Sequence, residues 1–196
     1  MKTTKLDNDK YYTPVDLAKK CIDKTFEIIG QENITEIIEP SAGNGSFSNQ
    51  IANCIAYDLF PESDNIKTAD FLDMKLGYKN GRLFIGNPPF GVHNKLVVDF
   101  YDKCCDCGDY IAFILPISCY KNDIKLYKFD LIYSEDLGLR YYTDRELHCC
   151  FNIYRRPVSG AFNLKPNYEL NEITIIEHRR KKGNYQWKKD SLPLNV

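Results

Sequence analysis

The chain has 196 residues, 43% hydrophobic and 27% charged, with a net charge of −1. That composition belongs to a soluble globular protein with one sizeable core and is too short for two comfortable domains. No apolar run reaches the roughly 18–20 residues that span a bilayer, and the opening MKTTKLDNDK has no apolar stretch of a secretion signal, so no membrane partner and an intracellular location are expected.

In chain order, the first element follows Tyr11-Tyr12-Thr13-Pro14. Thr13 reads as an N-cap, Pro14 as the first helical position and Asp16 as a favourable charge in the first turn. Val15, Ala18, Ile22, Phe26 and Ile29 recur at helical spacing, and Gly30 stops the helix. Ile34–Glu39 reads as a short strand running into Pro40-Ser41-Ala42-Gly43-Asn44-Gly45, and a second helix is expected to carry Phe47 and Ile51 inward. Cys54–Asp58 is a further apolar run ending in an acid, and Ala69–Phe71 marks a loop. Arg82–Gly86 is a strand that runs into Asn87-Pro88-Pro89-Phe90, because paired prolines lack N–H donors and end a ladder. Lys95–Cys104 has helical periodicity, Tyr110–Leu115 is a strand ended by Pro116, and strands are expected at Leu131–Ser134, Leu147–Arg155 and Glu172–His178.

Short apolar strands alternating with helices predict an α/β fold, a mostly parallel central sheet with helices on both faces. Ligands in such sheets bind beyond the carboxyl ends of the strands, where Glu39–Gly45, Asp58, Asp70 and Asn87–Phe90 fall. Two glycines at 43 and 45 let backbone approach a ligand, although a plain turn uses the same residues. Asp58 is either a strand-end turn acid or a carboxylate placed for a ribose diol.

The eight cysteines include Cys104-Cys105-x-Cys107, which has half the spacing of a zinc site; with no second pair to complete it, small core residues are the expected reading and no metal is assigned. Charge is uneven. Residues 1–154 carry 17 basic and 23 acidic side chains, net −6, whereas residues 155–196 carry 9 and 4, net +5. The basic end holds Arg155, Arg156, Arg179, Arg180, Lys181 and Lys182, with Tyr185 and Trp187 following. Cations interleaved with aromatics suit a nucleic-acid backbone, and equally a solvated tail.

Taken together, Tyr11-Tyr12-Thr13-Pro14, EPSAGNGSF over Glu39–Phe47, Asp70-Phe71 and NPPF over Asn87–Phe90 resemble the motif series of S-adenosylmethionine-dependent N6-adenine DNA methyltransferases of the gamma order. HCCFNIYRRP at His148–Pro157 is similar to that family's closing hairpin. The resemblance implies a Rossmann-like class I methyltransferase fold with an antiparallel C-terminal hairpin, S-adenosylmethionine as cofactor and adenine in DNA as substrate. It implies a catalytic domain over residues 1–157, with 158–196 a short basic extension of it.

By the same resemblance, Tyr11, Thr13 and Pro14 flank the methionine end of the cofactor. Glu39, Pro40, Ala42, Gly43 and Gly45 cradle it, Asp58 takes the ribose hydroxyls, Leu59 or Phe60 lies on the adenine ring, and Asp70 with Phe71 holds that ring's edge. Asn87 and the Pro88 carbonyl accept the N–H bonds of the target amine, Pro89 stiffens the turn, and Phe90 stacks on an extruded base. The same tetrapeptide chemistry serves methylation of RNA base amines and of protein glutamine, and a non-catalytic cofactor-binding subunit is a further alternative. Only about forty residues follow Pro157, so target recognition is expected from loops such as residues 91–94 and 118–142, from a homodimer or from a partner subunit.

Overall fold

The computed structural model describes residues 11–122, 124–143 and 145–167. The expected strand at 172–178 and the basic residues Arg179, Arg180, Lys181 and Lys182 lie outside the described residues.

The first helix, α1, spans Val15–Ile29 and ends at Gly30, whose φ of +82° lets its N–H reach back to the Phe26 carbonyl at 3.0 Å. Its buried stripe runs through Leu17, Ala18, Cys21, Ile22, Thr25 and Ile29, which keeps Ala18, Ile22 and Ile29 of the expected one, and Val15 is left 64% exposed. Thr13 does not cap the helix; Pro14 occupies that position and no side chain caps it. The Thr13 hydroxyl is used elsewhere, as described below.

Seven strands form one sheet among the described residues: β1 Glu36–Glu39, β2 Ile55–Asp58, β3 Lys67–Thr68, β4 Arg82–Gly86, β5 Tyr110–Pro116, β6 Asp130–Tyr142 and β7 Arg145–Arg155. Their order is β3-β2-β1-β4-β5-β7-β6. The first five are parallel; β7 runs antiparallel to β5, and β6 antiparallel to β7. The expected fold, mostly parallel with an antiparallel hairpin, is the observed one.

Side-chain alternation divides the core. Leu83, Ile85, Ala112, Ile114, Phe151 and Ile153 pack with α1. Phe84, Ile111, Phe113, Leu115, Cys150 and Tyr154 pack with the second helix, α2, at Lys95–Cys107. Because neighbouring residues of one strand face opposite ways, the two helices cover opposite faces. Cys104, Cys105 and Cys107 are core residues of α2, and burial pushes their thiols up. Among the described residues no three His, Cys, Asp or Glu side chains converge to hold a metal ion.

The helix expected over Phe47 and Ile51 is absent. Both side chains are buried, but the segment is a turn followed by a short 3-10 helix at Ser48–Gln50. The Ser46 carbonyl, which an α-helix would pair with the Gln50 backbone N–H, instead accepts from the Gln50 side-chain amide at 2.7 Å. The Ser48 N–H donates to the Glu39 carboxylate at 2.8 Å. Local side-chain bonds thus outcompete the helical ladder.

The strands β6 and β7 are longer than expected, and they continue beyond the end of β5. The last β5 pair is Pro116 with Cys149, whereas β6–β7 pairing proceeds through Leu139–His148 to Tyr142–Arg145. This arm overhangs the carboxyl end of the parallel strands. Two register shifts, between Leu131 and Tyr133 and between Asp136 and Gly138, bend it. It replaces much of the loop expected over residues 118–142.

Candidate active site

The strand order reverses between β1 and β4, and a crevice opens beyond the carboxyl ends of such neighbours. A cleft of about 320 Å³ occupies it. Glu39 ends β1, Asp58 ends β2 and Asn87 directly follows β4, so three polar residues distant in sequence reach one space.

Glu39 is 2% exposed, and its carboxylate accepts the Ser48 N–H. Burial raises its pKa from 4.5 to about 7 against the opposing effect of the Ser48 bonds, and the Asp58 charge pushes the same way as burial. Its side chain has room because residue 86 is glycine: a Cβ there would stand 3.3 Å from Glu39 Cγ.

The glycine-bearing loop is tied to β2 twice. The Ala42 N–H donates to the Tyr57 carbonyl at 2.9 Å, and the Gly43 N–H donates to Asp58 Oδ2 at 2.7 Å. The other Asp58 oxygen accepts the Phe60 N–H at 2.8 Å, so this carboxylate shapes both the glycine loop and its own turn while lining the cleft. Gly43 has φ +55°, and a Cβ there would lie 2.9 Å from the Tyr12 ring. Asp70 likewise closes its own turn through the Leu72 N–H at 2.9 Å. Phe71 packs against Phe100 and Phe84 with ring centroids 5.4 and 5.6 Å apart, forming the floor.

The Tyr11–Thr13 segment crosses the cleft and is held from both sides. Ser46 Oγ donates to the Thr13 carbonyl at 2.8 Å, Tyr12 N–H donates to Thr143 Oγ1 at 2.9 Å, and Arg145 donates to the Tyr11 hydroxyl at 3.0 Å. The tip of the overhanging arm therefore holds the cleft's own wall.

Asn87 sits where that wall meets β4. Its amide nitrogen donates to the Tyr11 carbonyl and to Thr13 Oγ1, each at 3.3 Å. A carbonyl can only accept, so the amide orientation is set by its partners. Asn87 Oδ1 is buried and has no hydrogen-bond partner. Buried acceptors are almost always satisfied, and this one belongs to a residue of the cleft wall. Phe90 is half-buried, packs against both halves of the core and lines the same cleft.

Of the residues expected around a cofactor, Tyr11, Thr13, Glu39, Pro40, Ala42, Gly43, Asp58, Leu59, Asp70, Phe71 and Asn87 line the cleft, as do Pro88, Pro89 and Phe90. Pro14 and Gly45 do not: Pro14 begins α1, and Gly45, at φ +82°, turns the chain beside Asn49. Sequence reasoning missed Tyr12, Ser46, Leu96 and Phe100 as lining residues. Leu96 and Phe100 are four apart on the first turns of a helix that follows the NPPF loop, which was the available signal.

Arg155 and Arg156 are not brought to the cleft. Arg155 pairs with Tyr110, level with Leu83, about 13 Å of strand short of Asn87. Arg156 is a structural clasp. Its guanidinium donates to Asp109 at 2.9 Å and to the Gly108 and Cys105 carbonyls, and lies 4.9 Å from the rings of Tyr78 and Phe129. These partners, invisible in a dipeptide, engage its guanidinium within the fold.

No protein-family model and no curated protein matches the sequence. Solved structures do match in shape. A Pyrococcus horikoshii protein assigned to the RNA methyltransferases shares 14% identity at a TM-score of 0.64, covering 80% of this chain and 91% of its own. A Listeria monocytogenes protein assigned to the class I S-adenosylmethionine-dependent methyltransferases shares 12% at 0.59, covering 83% and 65%. The 23S rRNA methyltransferase ErmE shares 11% at 0.52, covering 76% and 70%. The fold is that of the class I methyltransferases. In a class I methyltransferase fold the crevice between β1 and β4 is the one described above, with Glu39 and Asn87 on its two sides. Among the described residues no helix is long and apolar enough to cross a membrane.

Two outcomes follow from the site's electrostatics. Arg156→Ala is expected to cost about 3 kcal/mol in denaturant unfolding, because it leaves the buried Asp109 carboxylate, still bonded by Tyr78 and the Gly81 N–H, without its counter-charge. For Glu39, a folded-state pKa near 7 against 4.5 means the folded chain holds the extra proton between those values. Its contribution is fully present below pH 4.5 and lost as pH rises through 7, about 3 kcal/mol in all. Glu39→Gln should therefore lose less melting temperature than wild type between pH 5 and pH 8.

Proposed function

We propose that the chain binds S-adenosylmethionine in this cleft and transfers its methyl group to the N6 amino group of adenine in DNA. The observation that carries the reading is the buried, unpartnered Asn87 Oδ1, oriented by two bonds to the segment that walls the cleft. The motif series described above supplies the substrate class, and DNA is the proposed partner.

The residues present suit the cofactor. Glu39, its carboxylate reserved behind β1, fits an ammonium group, and Asp58 fits a diol beside the exposed Leu59 and Phe60. Gly43 lines the cleft, and the absence of a Cβ there lets the Tyr12 ring pack against it. The cofactor supplies an electrophilic methyl group on a sulfonium centre.

An exocyclic adenine amine is a weak nucleophile because its lone pair is delocalised into the ring. Asn87 Oδ1 and the Pro88 carbonyl accept its two N–H bonds, draw the nitrogen toward tetrahedral geometry and aim the lone pair into the cleft. As positive charge develops on nitrogen those bonds strengthen, and binding energy is realised in the transition state. No general base is needed before transfer: as the N–CH3 bond forms, the S–CH3 bond would break to leave a neutral thioether, and the methylated nitrogen would then give up one proton to water, so alignment is the task. Phe90 offers a ring to an extruded base, and such stacking returns roughly 1–3 kcal/mol against an extrusion cost of a few kcal/mol.

The decisive experiment presents tritiated S-adenosylmethionine with DNA, RNA and protein and identifies the labelled nucleoside or residue. Label in N6-methyladenine of DNA is expected; label in RNA base amines or protein glutamine alone would transfer the same amide chemistry to that substrate. Asn87→Ala should lower turnover by about 10²-fold or more, the size of effect seen when one transition-state hydrogen-bonding group is removed, and retain cofactor binding; full activity would refute the mechanism. Because Glu39 must release its proton to face a cation, cofactor affinity should rise with pH up to about 7 and level off above it, measurable by calorimetry.

A further inference from the structure

We propose that Val92 is a wedge that enters the base stack of duplex DNA and fills the space left by the extruded adenine. The inference rests on reading the cleft as an adenine methyltransferase site, and concerns how the duplex is opened.

Val92 follows Phe90 by two residues and is 72% exposed, so core packing does not account for it. The backbone around it is unusual. Gly91 has φ +66°, and a Cβ there would stand 2.8 Å from Leu96 Cγ, which presses the loop onto the first turn of α2. His93 and Asn94 then follow at φ +55° and +60°. Two successive non-glycine residues in the left-handed region cost on the order of 1–2 kcal/mol each.

Such a conformation persists only where its surroundings hold it, and here Asn94 donates to Ser118 Oγ at 3.2 Å, tying the loop to the segment after β5. The left-handed pair turns the chain from the NPPF strand exit into α2 within four residues. Val92 is exposed on this turn, in the sequence between Phe90 and Leu96, both of which line the cleft.

This arrangement suits one task in base extrusion. Removing a base leaves a gap about 3.4 Å tall in one strand, and apolar side chains are what proteins insert between base steps. Valine is stiff about χ1, so little side-chain freedom is lost on insertion. A turn pre-formed by backbone strain likewise needs no ordering at the encounter. Phe90 would retain the base in the cleft while Val92 blocks its return.

The test compares methyl transfer by wild type, Val92→Ser and Val92→Leu on three DNAs: single-stranded, fully paired, and paired with an abasic site opposite the target adenine. Val92→Ser is expected to lower kcat/KM on the paired duplex by about tenfold or more and to stay within about threefold of wild type on the single strand. The abasic partner should restore most of the loss, and Val92→Leu should keep duplex activity. Equal activity of Val92→Ser and wild type on the duplex, or an equal loss on both DNA forms, would overturn the wedge. So would wild-type activity confined to single strands. Wild type inactive on all three DNAs would instead overturn the methyltransferase reading itself. Unchanged melting temperature for Val92→Ser, expected for an exposed side chain, separates these outcomes from misfolding.

Discussion

The site depends on one side-chain amide whose two ends have different fates. Asn87 spends its nitrogen on the Tyr11 carbonyl and the Thr13 hydroxyl, and its oxygen is left buried without a donor. The first half of that arrangement fastens the segment before α1 to the end of β4. The second half leaves a directional acceptor in a wall of the cleft. An unsatisfied buried acceptor costs about 1–3 kcal/mol, a cost that a substrate N–H would remove in the proposed reaction. Fold and proposed chemistry therefore meet in the same group.

Around it, acids at strand ends do structural work before any ligand arrives. Glu39 accepts the Ser48 N–H and so fastens the start of the short 3-10 helix Ser48–Gln50 to the end of β1. Asp58 holds the Gly43 N–H and keeps the glycine loop against β2. The overhanging β6–β7 arm then holds Tyr11 and Tyr12 through Arg145 and Thr143. With the Ser46 bond to the Thr13 carbonyl, three contacts confine this short segment, two from the arm and one from the glycine-bearing loop, and the segment orients Asn87.

Legibility in the sequence followed punctuation. Arg82–Gly86 is legible with its observed bounds because paired prolines follow it, whereas the apolar spacing of α2 gives its start at Lys95 but stops at Cys104, three residues short of the observed end at Cys107. The phase of α1 is largely legible, with Ala18, Ile22 and Ile29 buried and Phe26 packed against the core as expected; Val15 departs because it stands at the first helical residue and is exposed. Strand β6 was read only as Leu131–Ser134, since register shifts and exposed residues such as Leu139 and Tyr141 break its alternation. Arg156 was read as a phosphate ligand because basic pairs often are; its carboxylate partner, Asp109, is forty-seven residues away.

By itself, the sequence determined the parallel α/β architecture and the set of polar and glycine residues at the strand ends, because apolar runs, glycines and prolines act locally. Only the tertiary structure decided that the Thr13 hydroxyl serves Asn87 instead of capping α1. It likewise decided that Asp58 holds a loop, that Arg156 is a clasp, and that Val92 stands exposed on a strained turn. Each of those outcomes depends on a partner distant in sequence or on burial, and hydrogen bonds and desolvation are settled by what is near in space.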